Sequence, residues 1–192
     1  MGRPKEFDPE ETLEQIMNVF WLKGYEGASL QDIEAATGLK KPSLYRTFGD
    51  KRAMYLAALA AYDEMESQNA AAILSHPGSA KARIQRLLRA VIDSAAAAKD
   101  RRGCFLCNAS IDQAPHDPAT QKFVSAAMDR LSTAFAAALS ASPPYAGNPR
   151  KREKMAAKIL AGYFGLRVLI KAGLAEEVLK NAASQIVSEI ET

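Results

Sequence analysis

Leu13, Ile16, Met17, Phe20 and Trp21 recur at spacings of three and four residues, one apolar stripe on a helix running from Asp8 to a stop at Gly24. Asp8 is placed to cap it, Pro9 sits in the first turn where its missing N–H costs nothing, and Glu11 completes a capping box. The pattern repeats in miniature between Ser29 and Gly38, with Ser29 as cap, Asp32 three residues on, and Leu30, Ile33 and Ala36 on the inner face. A third short helix follows at once: Pro42 suits its first turn, Leu44 and Phe48 share a face, and Gly49 ends it. Two short helices joined by a Gly-containing turn predict a helix-turn-helix, whose second helix enters a DNA major groove.

Downstream the periodic segments lengthen. Asp50 caps a helix predicted to reach Leu74, closed by "HPG" at 76–78, and Ser79 opens another over 80–98 with Ile84, Leu87, Leu88 and Val91 inward. After "KDRRG" the short apolar segment "CFLCNASIDQA" ends at Pro115, and Asp117 with Pro118 restarts a helix carrying Phe123, Val124, Met128, Leu131 and Phe135. The breaker run "SPPYAGNP", 142–149, predicts a loop, and two final helices over 150–171 and 174–191 are divided by Gly173. The sum is an all-α chain of nine helices with no solenoid repeat. Character changes near Met54, from short capped helices to longer Ala-rich ones, which divides the chain into a module at 1–52 and a bundle at 53–192. Because the fourth helix begins at once, the two are expected to be rigidly coupled.

Composition agrees with helix, since alanine is abundant and β-branched residues are few. The net charge of +3 is too small to argue for nucleic acid, so that case rests on "LKKPSLYRTFGDKR", where Lys40, Lys41, Arg46, Lys51 and Arg52 oppose the single anion Asp50. With Leu44 and Phe48 anchored inward, Lys41, Ser43, Arg46 and Thr47 are left outward and Pro42 shapes the first turn. The planar fork of Arg46 suits a guanine edge. Ser43 and Tyr45 suit phosphate oxygens, as do the helix start at Ser29 and the cations Lys51 and Arg52. The expected DNA-contacting set is therefore Ser29, Lys40, Lys41, Pro42, Ser43, Tyr45, Arg46, Thr47 and Lys51; the alternative is a merely solvated charged face.

Other classes find little support. There is no apolar run of the ~18 to 20 residues a membrane span needs and no leader-like h-region, so a cytoplasmic protein is expected. Gly2 invites myristoylation, but Glu6 stands where the acceptor pattern wants Ser or Thr. No Gly-rich phosphate loop, H-E-x-x-H or G-x-S-x-G occurs, so neither an enzyme nor a cofactor is expected.

The stretch "MNVFWLKGYEGASLQDIEAATGLKKPSLYRTFGDKRAMY" resembles the DNA-binding domain of tetracycline-repressor (TetR) family transcription regulators. The resemblance is carried by Phe20, Gly24 and Tyr25; by Ser29, Asp32, Ile33 and Ala35 or Ala36; by Gly38 and Leu39; by Lys41, Pro42, Ser43, Leu44, Tyr45 and Phe48; and by Lys51. It covers about a quarter of the chain. Glu34 departs from the commoner Ala, and Pro42 replaces Gly as a familiar variant. The resemblance implies a homodimer joined through the last two helices, a small-molecule effector pocket inside the bundle, an inverted-repeat operator, and repression rather than activation.

The sequence adds its own support for pairing of subunits: "ILAGYFGLRVLIKAGL" is apolar over more than one face of its helix. Leu160, Phe164, Arg167, Ile170, Val178, Ala182, Ile186 and Ile190 are the expected interface, an internal core helix being the alternative. Phe105, Cys107, Asn108, Ile111, Phe123, Met128 and Tyr163 suit a mostly apolar effector cavity, plain core being the commoner role for each of these residue types. Cys104 and Cys107, the only cysteines, are too few for a disulfide framework. They share a helix face near Lys99, Arg101 and Arg102, whose field favours a reactive thiolate. The first reading of such free cysteines is still as small apolar core residues, with the reactive thiolate as the sharper alternative and zinc ligation with His116 and His76 a further one, although four well-placed ligands would be needed; no metal is expected.

Overall fold

The computed structural model describes residues 7–98 and 102–191, so the readings at Gly2, Lys99 and Arg101 lie outside the described residues. Its elements are α1 (Pro9–Gly27), α2 (Leu30–Thr37), α3 (Lys41–Phe48), α4 (Lys51–Leu74), α5 (Ala80–Ala98), α6 (Phe105–Asp112), α7 (Pro118–Leu139), α8 (Pro143–Ala146), α9 (Pro149–Lys171) and α10 (Glu176–Ser188). Among the described residues the chain is all-α, with ten helices where the sequence predicts nine. The extra one, α8, is a single turn inside the breaker run. Pro143 and Pro144 fall in its first turn, where prolines withhold no needed N–H, and Tyr145 is fully buried with its hydroxyl accepting from the Glu191 N–H at 3.1 Å. Gly24 does not end α1 but kinks it, taking φ 71° while the helix resumes to Gly27. Ala36 is exposed rather than inward.

The side-chain caps that the sequence marks are formed, but at Asp8 without the return bond from Glu11 that a capping box needs. Asp8 accepts from the N–H groups of Glu10 and Glu11, Asp50 from that of Ala53, and Asp117 from that of Thr120. Two apolar clusters fill the molecule. One joins α5, α7, α9, α10 and the end of α4 through Ile84, Leu88, Phe135, Tyr163 and Leu166. The other holds Ile16, Phe20, Ile33, Leu44, Tyr55 and Tyr62 together with Cys104, Phe105, Leu106 and Val124. This second cluster crosses residue 52: α1 and α4 pack directly on α6, α4 also on α7, and α2 and α3 join through α1 and α4.

One ion pair fastens the same boundary. Arg52 Nε and Nη2 donate to Asp117 Oδ1 at 3.0 and 2.5 Å, while Asp117 Oδ2 accepts from the Thr120 N–H and hydroxyl at 3.0 and 2.7 Å. Arg52 is thus engaged within the subunit, not held ready as a phosphate clamp. Arg52 and then Thr120 hold the Asp117 carboxyl well below the usual carboxylate range. A depressed pKa contributes stability that is present above the unfolded value and is lost as pH falls toward the folded one. The stability gap between wild type and Asp117→Asn should therefore be constant from neutral pH to about pH 4 and shrink below it, as read from urea midpoints. A gap that stays constant into acid would deny this pair its role.

Candidate nucleic-acid interface and the interior behind it

The helix-turn-helix is built by local chemistry. Asp32 Oδ2 accepts from the Ser29 N–H at 2.9 Å, Ser29 Oγ accepts from the Asp32 N–H at 3.1 Å, and Lys23 Nζ reaches Asp32 Oδ1 at 2.6 Å. Lys23 and Ser29 hold this carboxyl well below its usual range. Gly38 closes α2 at φ 68°, a left-handed position that suits glycine, and releases the chain into α3. Lys40 precedes α3 without a side-chain cap; Glu34 supplies one from α2 instead, its Oε1 accepting from the Lys41 N–H at 2.7 Å. Glu34, a departure from the resembled pattern, thereby fixes the angle between the two helices. No spacing rule marks it, because the bond crosses the turn.

Leu44 is fully buried and Phe48 half-buried, so α3 is pinned by one side. Lys40, Lys41, Pro42, Tyr45, Arg46 and Thr47 are exposed and Ser43 half-buried. Lys41 Nζ lies 5.1 Å from the Tyr45 ring centroid and Lys51 Nζ 4.5 Å from that of Tyr25, contacts that orient both ammonium groups. Arg46 makes no ion pair among the described residues. With Ser29 exposed at the start of α2, the expected nine residues occupy the N-terminus of α2, the turn after it, α3 and the first turn of α4.

Two of the cavities among the described residues lie behind this surface. One of about 300 Å³ is lined by Trp21, Met65, Glu66, Asn69, Arg167 and Ile170, among others, from α1, α4 and α9. The other, about 30 Å³, is lined by Tyr62, Glu66, Cys104, Leu131, Tyr163 and Phe164, among others. Arg167 and Glu66 form an ion pair inside the subunit, and Arg167 Nη2 also donates to the Tyr163 hydroxyl at 2.6 Å. Burial works against the Arg167 charge, but Tyr163, Tyr62 and Glu66 facing it keep it protonated. Glu66 carries no sequence signal; its partner lies 101 residues away.

Of the expected pocket residues, Tyr163 alone lines either of these cavities. Phe105 and Cys107 are buried in the second apolar cluster, and Phe123 and Met128 pack at its margin. Asn108 is tied up, donating to the Arg102 carbonyl at 2.9 Å and accepting from Lys171 Nζ at 2.6 Å. Ile111 is 66% exposed, at the last turn of a helix too short to carry it inward. The expected interface also divides. Arg167, Ile170 and Ile190 face the subunit's own interior, the last two at 7% and 1% exposure, because α9 and α10 first pack on their own bundle. Val178 is exposed, and Leu160, Phe164, Ala182 and Ile186 are half-buried. Gly162 has no room for a Cβ, which would meet Ile186 within 2.7 Å, so this glycine lets α9 and α10 of one subunit approach closely. Both cysteines are buried and unbridged, and among the described residues no three His, Cys, Asp or Glu side chains gather as a metal site. No described helix is long and apolar enough to cross a membrane.

Comparison with known proteins agrees with this architecture. The family model for bacterial regulatory proteins of the tetR family matches residues 13–58. The uncharacterized HTH-type transcriptional regulator YezE of Bacillus subtilis (strain 168) is 36% identical over 137 residues, 70% of this chain and 70% of its own. The HTH-type transcriptional repressor ComR of Escherichia coli (strain K12) is 33% identical over 108 residues, 56% of this chain and 51% of its own. Among solved structures, a cysteine mutant of the TetR family regulator CifR complexed with 26-base-pair operator DNA superposes with a TM-score of 0.88 at 27% identity, covering 98% of this chain and all of that one. The chain belongs to the TetR family and is a helix-turn-helix transcriptional regulator.

Proposed function

We propose that the protein is a cytoplasmic repressor whose homodimer lays two α3 helices into successive major-groove faces of an inverted-repeat operator, and that a small molecule releases it. In this reading residues 1–52 meet the duplex, residues 53–192 sense and dimerise, and no reaction is catalysed. The observation that carries it is α3 itself: Leu44 locks the helix while Lys41, Tyr45, Arg46 and Thr47 stand exposed. The CifR complex with operator DNA supports the same use of the fold. Pairing of subunits is supported by the exposed apolar residues Val168, Leu174 and Val178 on and between α9 and α10.

The cavity of about 300 Å³ is the better effector site of the two, since it meets the lower end of ordinary ligand pockets and touches α1 through Trp21. Release requires that the effector bind one spacing of the two α3 helices more tightly than the other. The test is footprinting and titration of duplexes from the DNA flanking the protein's own coding region. Protection of an inverted repeat by a dimer, with affinity falling steeply as salt rises, is the expected result. Failure to bind any such duplex at low ionic strength sinks the reading.

A further inference from the structure

We propose that Cys104 and Cys107 are a peroxide-sensitive dithiol, and that closing its disulfide draws the start of α6 away from α1. Cys104 is the residue before the first turn of α6, without a side-chain cap, and Cys107 is the third residue of that helix. The pair therefore sits as C-x-x-C at a helix N-terminus, where backbone N–H groups and the helix dipole favour a thiolate. A hydrogen bond from Cys107 and the charge of Arg167 push Cys104 below the ordinary thiol range against the opposing effect of burial. Cys107, facing that thiolate and buried, is pushed up. The roles divide accordingly: Cys104 attacks and Cys107 resolves.

A second feature points to what is attacked. Cys104, not Cys107, lines the cavity of about 30 Å³. Tyr62 lines it too, fully buried, and no hydrogen bond of good geometry satisfies its hydroxyl. Exposed Ser67 stands among the lining residues, so the cavity reaches solvent. A water needs roughly 10–15 Å³ of such space, so the site admits a molecule the size of hydrogen peroxide and excludes bulky organic oxidants.

The chemistry balances with that oxidant. The Cys104 thiolate attacks one peroxide oxygen, the O–O bond breaks, and the departing hydroxide leaves as water after taking a proton, for which the Tyr62 hydroxyl is a placed donor. Cys107 then attacks the sulfenic sulfur. The S–S bond forms as the S–O bond breaks, and the second hydroxide leaves as water with the Cys107 proton. Two thiols lose two electrons and one peroxide becomes two waters.

The consequence for α1 follows from distances. Residues three apart on a helix have Cβ atoms about 5–6 Å apart, whereas a disulfide holds them at about 3.5–4.5 Å. Cys104, outside the helix proper and tied to it through its carbonyl, which accepts the Asn108 N–H at 3.0 Å, is the less firmly held of the two. Its neighbour Gly103 accepts the Trp21 indole N–H at 3.1 Å, and Arg102 lies 3.8 Å over the Trp21 ring while donating to Asn18 Oδ1 at 2.8 Å. A pull at Cys104 thus acts on the latch that seats α1.

The inference rests on the regulator reading only for its effect on DNA, and its test needs none. The reduced full-length protein is treated with equimolar hydrogen peroxide. The expected result is a loss of about 2 Da with a peptide cross-linked between Cys104 and Cys107, reversed by dithiothreitol. The emission of Trp21, the chain's one tryptophan, should shift in parallel. Cys104→Ser should not react, and Cys107→Ser, or the apolar Cys107→Ala, should stop at a dimedone-trappable gain of about 16 Da. The proposal is overturned if the wild type keeps both thiols, gains oxygen without losing the two hydrogens, bridges between subunits, or forms the disulfide with Trp21 emission unchanged. Reduced protein that ignores duplex DNA counts against the regulator reading and leaves the dithiol standing.

Discussion

Arg46→Ala should remove most discrimination between operator and random duplex while leaving the fold intact. Each bidentate arginine–guanine contact is worth about 1–3 kcal/mol, and a dimer makes the contact twice, so operator affinity should fall about 30-fold to 10⁴-fold. The side chain is exposed and makes no ion pair among the described residues, so the unfolding free energy should change by no more than about 0.5 kcal/mol. Lys41→Ala serves as the contrast. Removing an ammonium that neutralises phosphate weakens operator and random duplex alike and lowers the salt slope by about one per subunit. Anisotropy titrations of both variants on both duplexes, at several salt concentrations, separate the two roles. If Arg46→Ala weakens both duplexes equally, the guanidinium meets phosphate and the reader lies elsewhere on α3.

What the sequence made legible was local. Asp8, Ser29, Asp50 and Asp117 each cap through a bond to a residue two or three positions away, so capping rules find them. The stripe Ile16, Met17, Phe20 is buried as its period requires. What escaped is set by partners far along the chain. Arg52 has the composition of a phosphate clamp, and only the approach of Asp117, 65 residues on, converts it to a tie between α4 and α7. Arg167 shares a stripe with Leu160 and Phe164, but Glu66 and Tyr163 turn it inward. Periodicity says that α9 has two apolar faces, not which of them its own subunit covers. α8 was hidden for a different reason: Pro-Pro signals a break in a long helix and an acceptable start to a short one.

The shared core carries the second large expectation. Phe105 is 1% exposed, with its ring centroid 5.6 Å from that of Tyr55, 5.9 Å from Tyr62 and 6.5 Å from Trp21. Tyr55 and Tyr62 belong to α4, Trp21 to α1 and Phe105 to α6, so one ring joins the element that seats α3 to the element beside the cavities. Phe105→Ala should destabilise the chain by about 3–5 kcal/mol, a large part of a typical total of about 5–15. Because α1–α4 have no core separate from α6 and α7, unfolding in guanidinium should remain one transition, moved as a whole to lower denaturant. Circular dichroism and Trp21 emission should then give the same midpoint. If the division near residue 52 were also a division of stability, the two probes would separate, and a resistant step of α1–α4 would survive the substitution. Were an effector to move α6, the same ring would be the route by which α1 and α4 feel it, since a helix-turn-helix with a private core could ignore its bundle and one packed on Phe105 could not.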